Sequence, residues 1–344
     1  MDFGFSAVRI TKLDRIRTFF DKMQRPIILQ VKDVYYPLIA TLRAPANLLT
    51  IVILSRGNCR LSKCISVYMV AMATADLLVM LFNIIGYNIL SKRFPHSFLS
   101  YTAVCKFMIY MLCTNHSMSV WFTVSFTFDR LVAICCQQLK RKYCTVRTAA
   151  AVLSTLSILI YSQTIPFWFV HEHKQIINNI HWFIRPSVAF ISSPAGAAYL
   201  LLQNIISTWL PFALILLLNV LTVRRILITS RARRGLRTHS SESPRDQEME
   251  NRKKSIILLF TVSASFILLN LPSAVSYATS SIAVHYRPDY TSPAYIASQT
   301  GVMLQYLSSC TNTCIYAATQ TKFREELKKV MKSPWTLAVR LFSK

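Results

Sequence analysis

An all-α membrane protein is the fold this 344-residue sequence predicts: seven transmembrane helices in a bundle, followed by a short amphipathic eighth helix. Three observations predict it. Charged residues make up 15% of the chain against 53% hydrophobic ones, where a soluble domain carries about 25% charged residues. So little charge cannot cover the surface of a water-soluble globule of this length. The apolar residues gather into seven runs, each long enough to supply the ~20 residues that a helix needs to cross hydrocarbon. The polar residues inside those runs recur at helical spacing, so they share interior faces.

The runs cover residues 35–54, 67–90, 103–135, 149–170, 197–228, 255–280 and 292–319. They are continuous, where the strands of a membrane barrel would alternate in stretches of about ten residues. The first run starts too late and is too long for a cleaved secretory signal. Residues 1–34 are therefore read as a tail, 320–332 as the amphipathic eighth helix and 333–344 as a second tail. An odd number of spans puts the termini on opposite sides. With the N-terminus outside, the inner loops and adjoining helix ends hold 17 Lys and Arg against 6 in the outer ones. That is the bias of a plasma-membrane protein with its positive loops inside, although the 7 basic residues of the N-terminal tail dissent. The loop after the fifth run carries Arg231, Arg233, Arg234 and Arg237, then Ser240, Ser241 and Ser243. It reads as a solvated linker whose basic cluster either anchors on anionic lipid or meets a partner, and whose serines are open to phosphorylation.

Ionisable and amide side chains are expensive in a bilayer and face the bundle interior or a wet cavity. The second run offers Asp76, Asn83 and Tyr87; the third Asn115, His116 and Ser119, then Asp129-Arg130 at its inner end. The sixth offers Asn270, Ser273 and Tyr277; the seventh Gln305, Ser308, Ser309, Asn312 and Tyr316. Taken singly, His116 reads as a hydrogen-bonded packing residue before a ligand contact, and the serines as bonding back to their own backbone. Asp76 is different: an unpaired carboxylate at mid-span costs about 2.5–3.5 kcal/mol, so it needs a cation, a proton or several donors. Arg43, just before Pro45, is the opposite anomaly and needs a partner or a wet pocket.

Enzyme signatures are missing: the chain has no HExxH, no GxSxG and no phosphate-binding glycine loop, and its 6 glycines are too few to build one. His171, Glu172 and His173, with His181 nearby, have metal-ligand chemistry, but in a polar outer loop they need no such explanation. The basic residues flank membrane spans without interleaved aromatics, so nucleic acid is not an expected partner.

The landmark residues together resemble the rhodopsin-like (class A) G-protein-coupled receptors. They come in that family's order, from every span but the fourth: Pro45-Ala46-Asn47, Ala73-Thr74-Ala75-Asp76-Leu77, Asp129-Arg130-Leu131, Pro211, Phe266 with Pro272, and Asn312-Thr313-Cys314-Ile315-Tyr316. Residues 321–327 then resemble its amphipathic eighth helix. Finer similarity, in residues 34–36, 45–50, 119–124, 216–224 and 310–313, is to an orphan subgroup. That subgroup implies a response to aromatic amino acids or small peptides and signalling through the Gq class.

The resemblance implies partners, namely a heterotrimeric G protein, an extracellular ligand and the lipid bilayer. It also implies roles. Asp76, Ser119, Ser308 and Asn312 would form a sodium pocket, with Na+ an allosteric ion. Arg130 would pair with Asp129 at rest and turn toward the G protein when the sixth span moves out. Val120, Pro211 and Phe266 would be the packing switch, with Pro272, Asn312 and Tyr316 completing the moving parts. Tyr87, Leu112, His116, Asn270, Tyr277, Gln305 and Tyr306 would line the ligand cavity, although packing among themselves accounts for them equally well. Leu112 stands where amine receptors carry an aspartate, which disfavours a monoamine.

Several positions depart from the family pattern. Asn270 replaces the toggle tryptophan, Asn219 a tyrosine, Thr313 a proline and Leu131 the tyrosine beside the arginine. Arg252 stands where many members carry an acid, which predicts elevated basal activity. Cys105 holds the position of a disulfide whose partner segment, 171–198, has no cysteine; a free Cys105 and a less restrained loop are expected. Two other readings stay open. One is a degenerate, non-signalling receptor or scaffold. The other is a seven-span transporter or channel, which internal repeats or broken Gly/Pro-rich helix pairs would favour.

Overall fold

The computed structural model describes residues 25–57, 59, 61–234, 245–279 and 289–342. Nearly all of them are helical. Helix α1 spans Ile27–Ser55. Helix α2 spans Lys63–Arg93, with a π-helical stretch over Met80–Leu90. Helix α3 is Thr102–Cys135, and a short helix Gln137–Tyr143 leads on to α4, Val146–Phe169. Helix α5 begins at Pro194, passes through a π turn at Ile205–Trp209 and continues over Leu210–Arg234. Helices α6, Arg245–Thr279, and α7, Pro293–Thr319, are followed by α8, Thr321–Phe342.

Helix α6 starts ten residues before the expected 255, and three further differences show their physical reasons. Helix α1 starts at Ile27, inside the expected tail. Its first turns are held against α7: Ile28 packs with Tyr295 and Met303, and Lys32 Nζ donates to Gln299 Oε1 at 2.7 Å. Helix α8 runs to Phe342, past the expected end at 332. Its Phe323, Leu327 and Val330, one face at i, i+4 and i+7, dock on the bundle core. The segment read as a polar outer loop folds as an antiparallel hairpin, β1 (His171–Ile177) with β2 (Ile180–Pro186). Asn178 and Asn179, both at positive φ, make its two-residue turn, the conformation that amide side chains tolerate and that matches strand twist.

Among the described residues, six helices are long and apolar enough to cross a membrane: Ile27–Ser55, Lys63–Arg93, Thr102–Cys135, Val146–Phe169, Pro194–Ile228 and Ile256–Ser276. Helix α7 is the exception by composition. Its 27 residues reach about 40 Å, but they include Ser298, Gln299, Thr300, Gln305, Ser308, Ser309, Thr311, Asn312 and Thr313. Most of that polarity is absorbed inside the protein, while the exposed Thr300 donates back to the Ile296 carbonyl. Gln305 bonds His116 of α3, Ser309 bonds Asp76 of α2, and Thr313 bonds Thr50 of α1. The outward faces are apolar, with Leu38, Leu42 and Leu48 on α1, Leu216, Leu217 and Val220 on α5, and Leu268 on α6 all exposed, as a bilayer requires.

Two apolar clusters bracket the polar middle of the bundle. At the Arg130 end, Tyr68, Met69 and Met72 of α2 pack with Phe122 and Phe126 of α3, Leu258 and Val262 of α6, Ile315 and Tyr316 of α7, and Phe323 of α8. Toward the hairpin end, Tyr36 and Ile39 of α1 pack with Val79, Met80 and Ile84 of α2 and with Tyr306 of α7. Helices α6 and α7 meet almost backbone to backbone: a Cβ built on Gly301 would lie 2.7 Å from both Cα and N of Ser273.

The hairpin is tied to the start of α3 without a covalent link. Thr102 Oγ1 donates to the Phe183 carbonyl at 2.7 Å, and Tyr101 bridges to Trp182 with their rings edge-to-face at 4.8 Å. The Cys105 thiol is buried and donates to the Leu99 carbonyl at 3.3 Å. A loop less restrained than usual was expected where a cystine is missing; hydrogen bonds and aromatic packing restrain it instead.

His171, at the base of β1 and stacked near Phe167, is pushed down to about 4, first by burial and then by the Lys106 charge. Its ordinary value is about 6.5, so the folded state refuses a proton that the unfolded chain accepts between these limits. The stability this contributes is complete above about pH 6.5 and is lost as pH falls toward 4, by at most tenfold in the folding equilibrium per pH unit. The Tm of the wild type should therefore fall further than that of His171→Phe on acidification over this window; equal falls would assign the acid sensitivity elsewhere. Of its neighbours, Glu172 pairs with Arg185 at 2.9 Å and His173 stacks on His181. No three potential metal ligands converge among the described residues.

Candidate functional site: a polar cavity at the centre of the bundle

The middle of the bundle encloses a polar cavity of about 20 Å³, lined by Asp76, His116, Ser119, Val120, Phe266, Asn270, Gln305, Ser308, Ser309 and Asn312 among others. That is room for a water-sized species. The interior stripes read from helical spacing converge here from α2, α3, α6 and α7.

At its floor, Asp76 Oδ1 accepts from Ser119 Oγ and from Ser309 Oγ, each at 2.9 Å. Arg43 of α1 reaches the same oxygen through Nη2 at 3.4 Å and donates to Ser309 Oγ at 2.8 Å. The two side chains are 1% and 3% exposed. The two anomalies of the sequence thus solve one another: the buried carboxylate has its cation and the buried guanidinium has its anion. The Arg43 guanidinium also lies 5.8 Å over the ring of Tyr306, in range of a cation–π contact. Asn47, one turn on, donates to the Arg43 carbonyl.

The donor set assigned to sodium is only partly the one assembled here. Asp76, Ser119, Ser308 and Asn312 all line the cavity, but Ser309, and not Ser308, bonds the carboxylate. Ser308 instead accepts from Asn270 Nδ2 at 3.2 Å. One residue on a helix turns the side chain by about 100°, which a stripe read from sequence does not resolve. With Arg43 in contact, the residues do not fit a resident sodium ion, because two cations would share one buried carboxylate.

Of the ligand-cavity candidates, His116, Asn270 and Gln305 come together at the cavity. His116 Nε2 and Gln305 Nε2 share a hydrogen bond of 2.7 Å, and Asn270 also donates to the Phe266 carbonyl. Tyr306 turns away, bonded to Asn83 and edge-to-face with Tyr36, and Leu112 packs in that same apolar cluster. For both, packing is the role observed. Tyr87 is half-buried within the π-helical stretch of α2 and does not line this cavity. The side chains of Tyr277 and Arg252, and residues 235–244 with Arg237, Ser240, Ser241 and Ser243, lie outside the described residues.

At the other end, Arg130 is bonded to Asp129 and almost fully buried, with its guanidinium 5.9 Å from the Phe126 ring. Asp129 also accepts from the Cys64 thiol at 3.1 Å, a neighbour that sequence reasoning missed because it comes from 65 residues away. Leu258, Tyr316 and Phe323 close over this end. Between the two centres, Phe266 stacks obliquely on Phe212, with ring centroids 5.4 Å apart, and packs beside Val124, Ile215 and Leu218. Val120 lines the cavity wall. Pro211 is buried two residues past the π segment, which accommodates its missing N–H. Pro272 lies inside α6. Asn219 donates to its own helix at the Ile215 carbonyl. Thr313, where the family carries proline, bonds Thr50 at 2.8 Å and the Ala46 carbonyl at 3.1 Å, so this departure adds a tie from α7 to α1.

A multi-pass membrane bundle with a polar core, a buried arginine–aspartate pair at one closed end and a folded hairpin at the other has the architecture of a receptor that relays a signal across the bilayer. The chain belongs to the rhodopsin family of seven-transmembrane receptors, whose family model matches residues 46–316. It is similar to the G-protein coupled estrogen receptor 1 of Micropogonias undulatus, at 24% identity over 79% of this chain and 72% of that one. It is also similar to the cysteinyl leukotriene receptor 1 of Cavia porcellus, at 21% over 77% and 74%. The allatostatin-A receptor of Bombyx mori is 22% identical over 90% of this chain and 81% of its own. It is a signalling receptor family, and not one of enzymes.

Proposed function

We propose that this receptor takes an extracellular ligand of aromatic amino-acid or short-peptide chemistry, bound by hydrogen bonds more than by charge, and activates a heterotrimeric G protein of the Gq class. The N-terminus and hairpin face outside in this reading, and the Arg130 end faces the cytosol. The observation that carries it is the His116–Gln305–Asn270 group, a hydrogen-bonding ceiling above a carboxylate whose charge Arg43 already balances, which leaves no free acid for an amine. The finer sequence resemblance, to the orphan subgroup that includes probable G-protein coupled receptor 139, supports the ligand class and the Gq coupling. The similar receptors above are named for an estrogen, a cysteinyl leukotriene and allatostatin-A, so ligand chemistry varies across the family and rests here on the cavity.

Activation would part Arg130 from Asp129 and open the cluster of Leu258 and Tyr316, a two-state equilibrium that ligand biases through its higher affinity for the open state. Arg252, one like charge in place of an acid, supports appreciable activity without ligand. Inositol phosphate accumulation in cells expressing the receptor, with and without aromatic amino acids and short peptides, tests this. Expected are a basal signal and a ligand response, both lost in Arg130→Ala at equal surface expression. Gln305→Leu should weaken ligand potency about tenfold, the worth of one hydrogen bond to a buried polar group. Silence at good surface expression would overturn the signalling reading and favour the non-signalling scaffold, which Asn219 and Asn270 at switch positions support.

A further inference from the structure

We propose that Arg43 is a built-in cation that takes the place of a diffusible monovalent ion at Asp76, so that the central packing of this receptor is insensitive to sodium. The proposal rests on geometry and stands whether or not the ligand reading above does.

A carboxylate buried at mid-bundle needs a positive charge within a few ångströms. Arg43 supplies one from a third helix. Its Nη2 reaches Asp76 Oδ1 at 3.4 Å, and Ser309 Oγ, which accepts from that nitrogen at 2.8 Å, donates onward to the same carboxylate oxygen at 2.9 Å. The guanidinium is fully enclosed, with Tyr306 beneath it. Its Nε and Nη1, together with Asp76 Oδ2, have no partner among protein atoms, and the adjoining cavity has room for a bridging water. An alkali ion placed on Oδ2 would sit beside the guanidinium, leaving a net positive charge in a buried site and forfeiting its own hydration. The backbone carries Arg43 to this depth, so the charge cannot exchange with solvent as a free ion can. The ties among α1, α2 and α7 are then independent of ionic composition.

The test is the thermal stability of the purified full-length receptor in sodium chloride against choline chloride at equal ionic strength, so that screening is matched. The wild type should show the same Tm in both. Arg43→Ala, which leaves the carboxylate alone and opens space beside it, should gain a sodium-dependent rise in Tm that titrates with sodium. Anything that binds only the folded state stabilises in this way, by a factor of about 1 + [L]/Kd in the folding equilibrium. The double variant Arg43→Ala/Asp76→Asn should lose that rise, and Arg43→Met reports the loss of charge with the volume kept. A wild-type Tm that rises in sodium over choline would overturn the proposal, and it needs no variant to fold. So would a folded Arg43→Ala that is indifferent to sodium.

Discussion

Asp76→Asn should be among the most damaging single substitutions in this receptor, and adding Arg43→Met to it should undo most of the damage. The single change keeps the shape and the hydrogen bonds of Ser119 and Ser309 to the carboxyl oxygen but leaves the Arg43 charge buried without its anion. Breaking a buried pair from one side costs about 3–5 kcal/mol, whereas removing both charges is often close to neutral. Measured without sodium, the two single variants and the double therefore form a cycle with a coupling well above the ~0.5 kcal/mol typical of independent sites. Additive losses of Tm would mean that the two side chains are solvated separately and that the contact contributes nothing.

Gly301→Ala should unseat α7 from α6. The added methyl would lie 2.7 Å from the Cα and the N of Ser273 and 3.0 Å from the carbonyl carbon of Pro272. These are backbone atoms that no rotamer change can withdraw, so one helix must move. Overpacking of this kind costs about 1–3 kcal/mol, and it falls beside Pro272, where α6 already lacks a backbone hydrogen bond. Expected are a clear drop in Tm and in surface expression. A second consequence is a change in the equilibrium between closed and open α6, read as altered basal signalling relative to the amount of receptor at the surface. An unchanged Tm would show that the helices separate freely at this level.

The first prediction comes from a contact that the sequence announced only as a problem, and the second from a close approach at Gly301 that the sequence did not mark at all. Asp76 and Arg43 each stood out as a charge too deep for a bilayer, yet nothing in their spacing paired them, because they sit 33 residues apart on different helices. Thr313 read as a lost proline and proved to be a tie to Thr50 and Ala46. The missing cystine at Cys105 read as a loosened loop, but Trp182 and Thr102 hold the hairpin; the Asn178-Asn179 pair was the turn signal available for it. Tyr306 and Leu112, open from sequence to either a ligand or a packing role, pack in the apolar cluster with α1 and α2. Ser309 in place of Ser308 at the carboxylate is a one-residue error, within what a pattern of period 3.6 leaves open.

The sequence by itself determined the class of this protein. Fifteen per cent charged residues against 53% hydrophobic ones, collected in span-length runs, leave a chain no soluble fold. The backbone hydrogen bonds of those runs must then close within helices. Periodicity also determined which faces turn inward, since polar atoms in hydrocarbon have nowhere else to go. The tertiary structure decided which inward groups meet. Charge pairing and the close approach of α6 and α7 depend on the rotation and depth of each helix to within an ångström or two. Those are set by packing among side chains far apart in sequence, and local pattern carries no record of them.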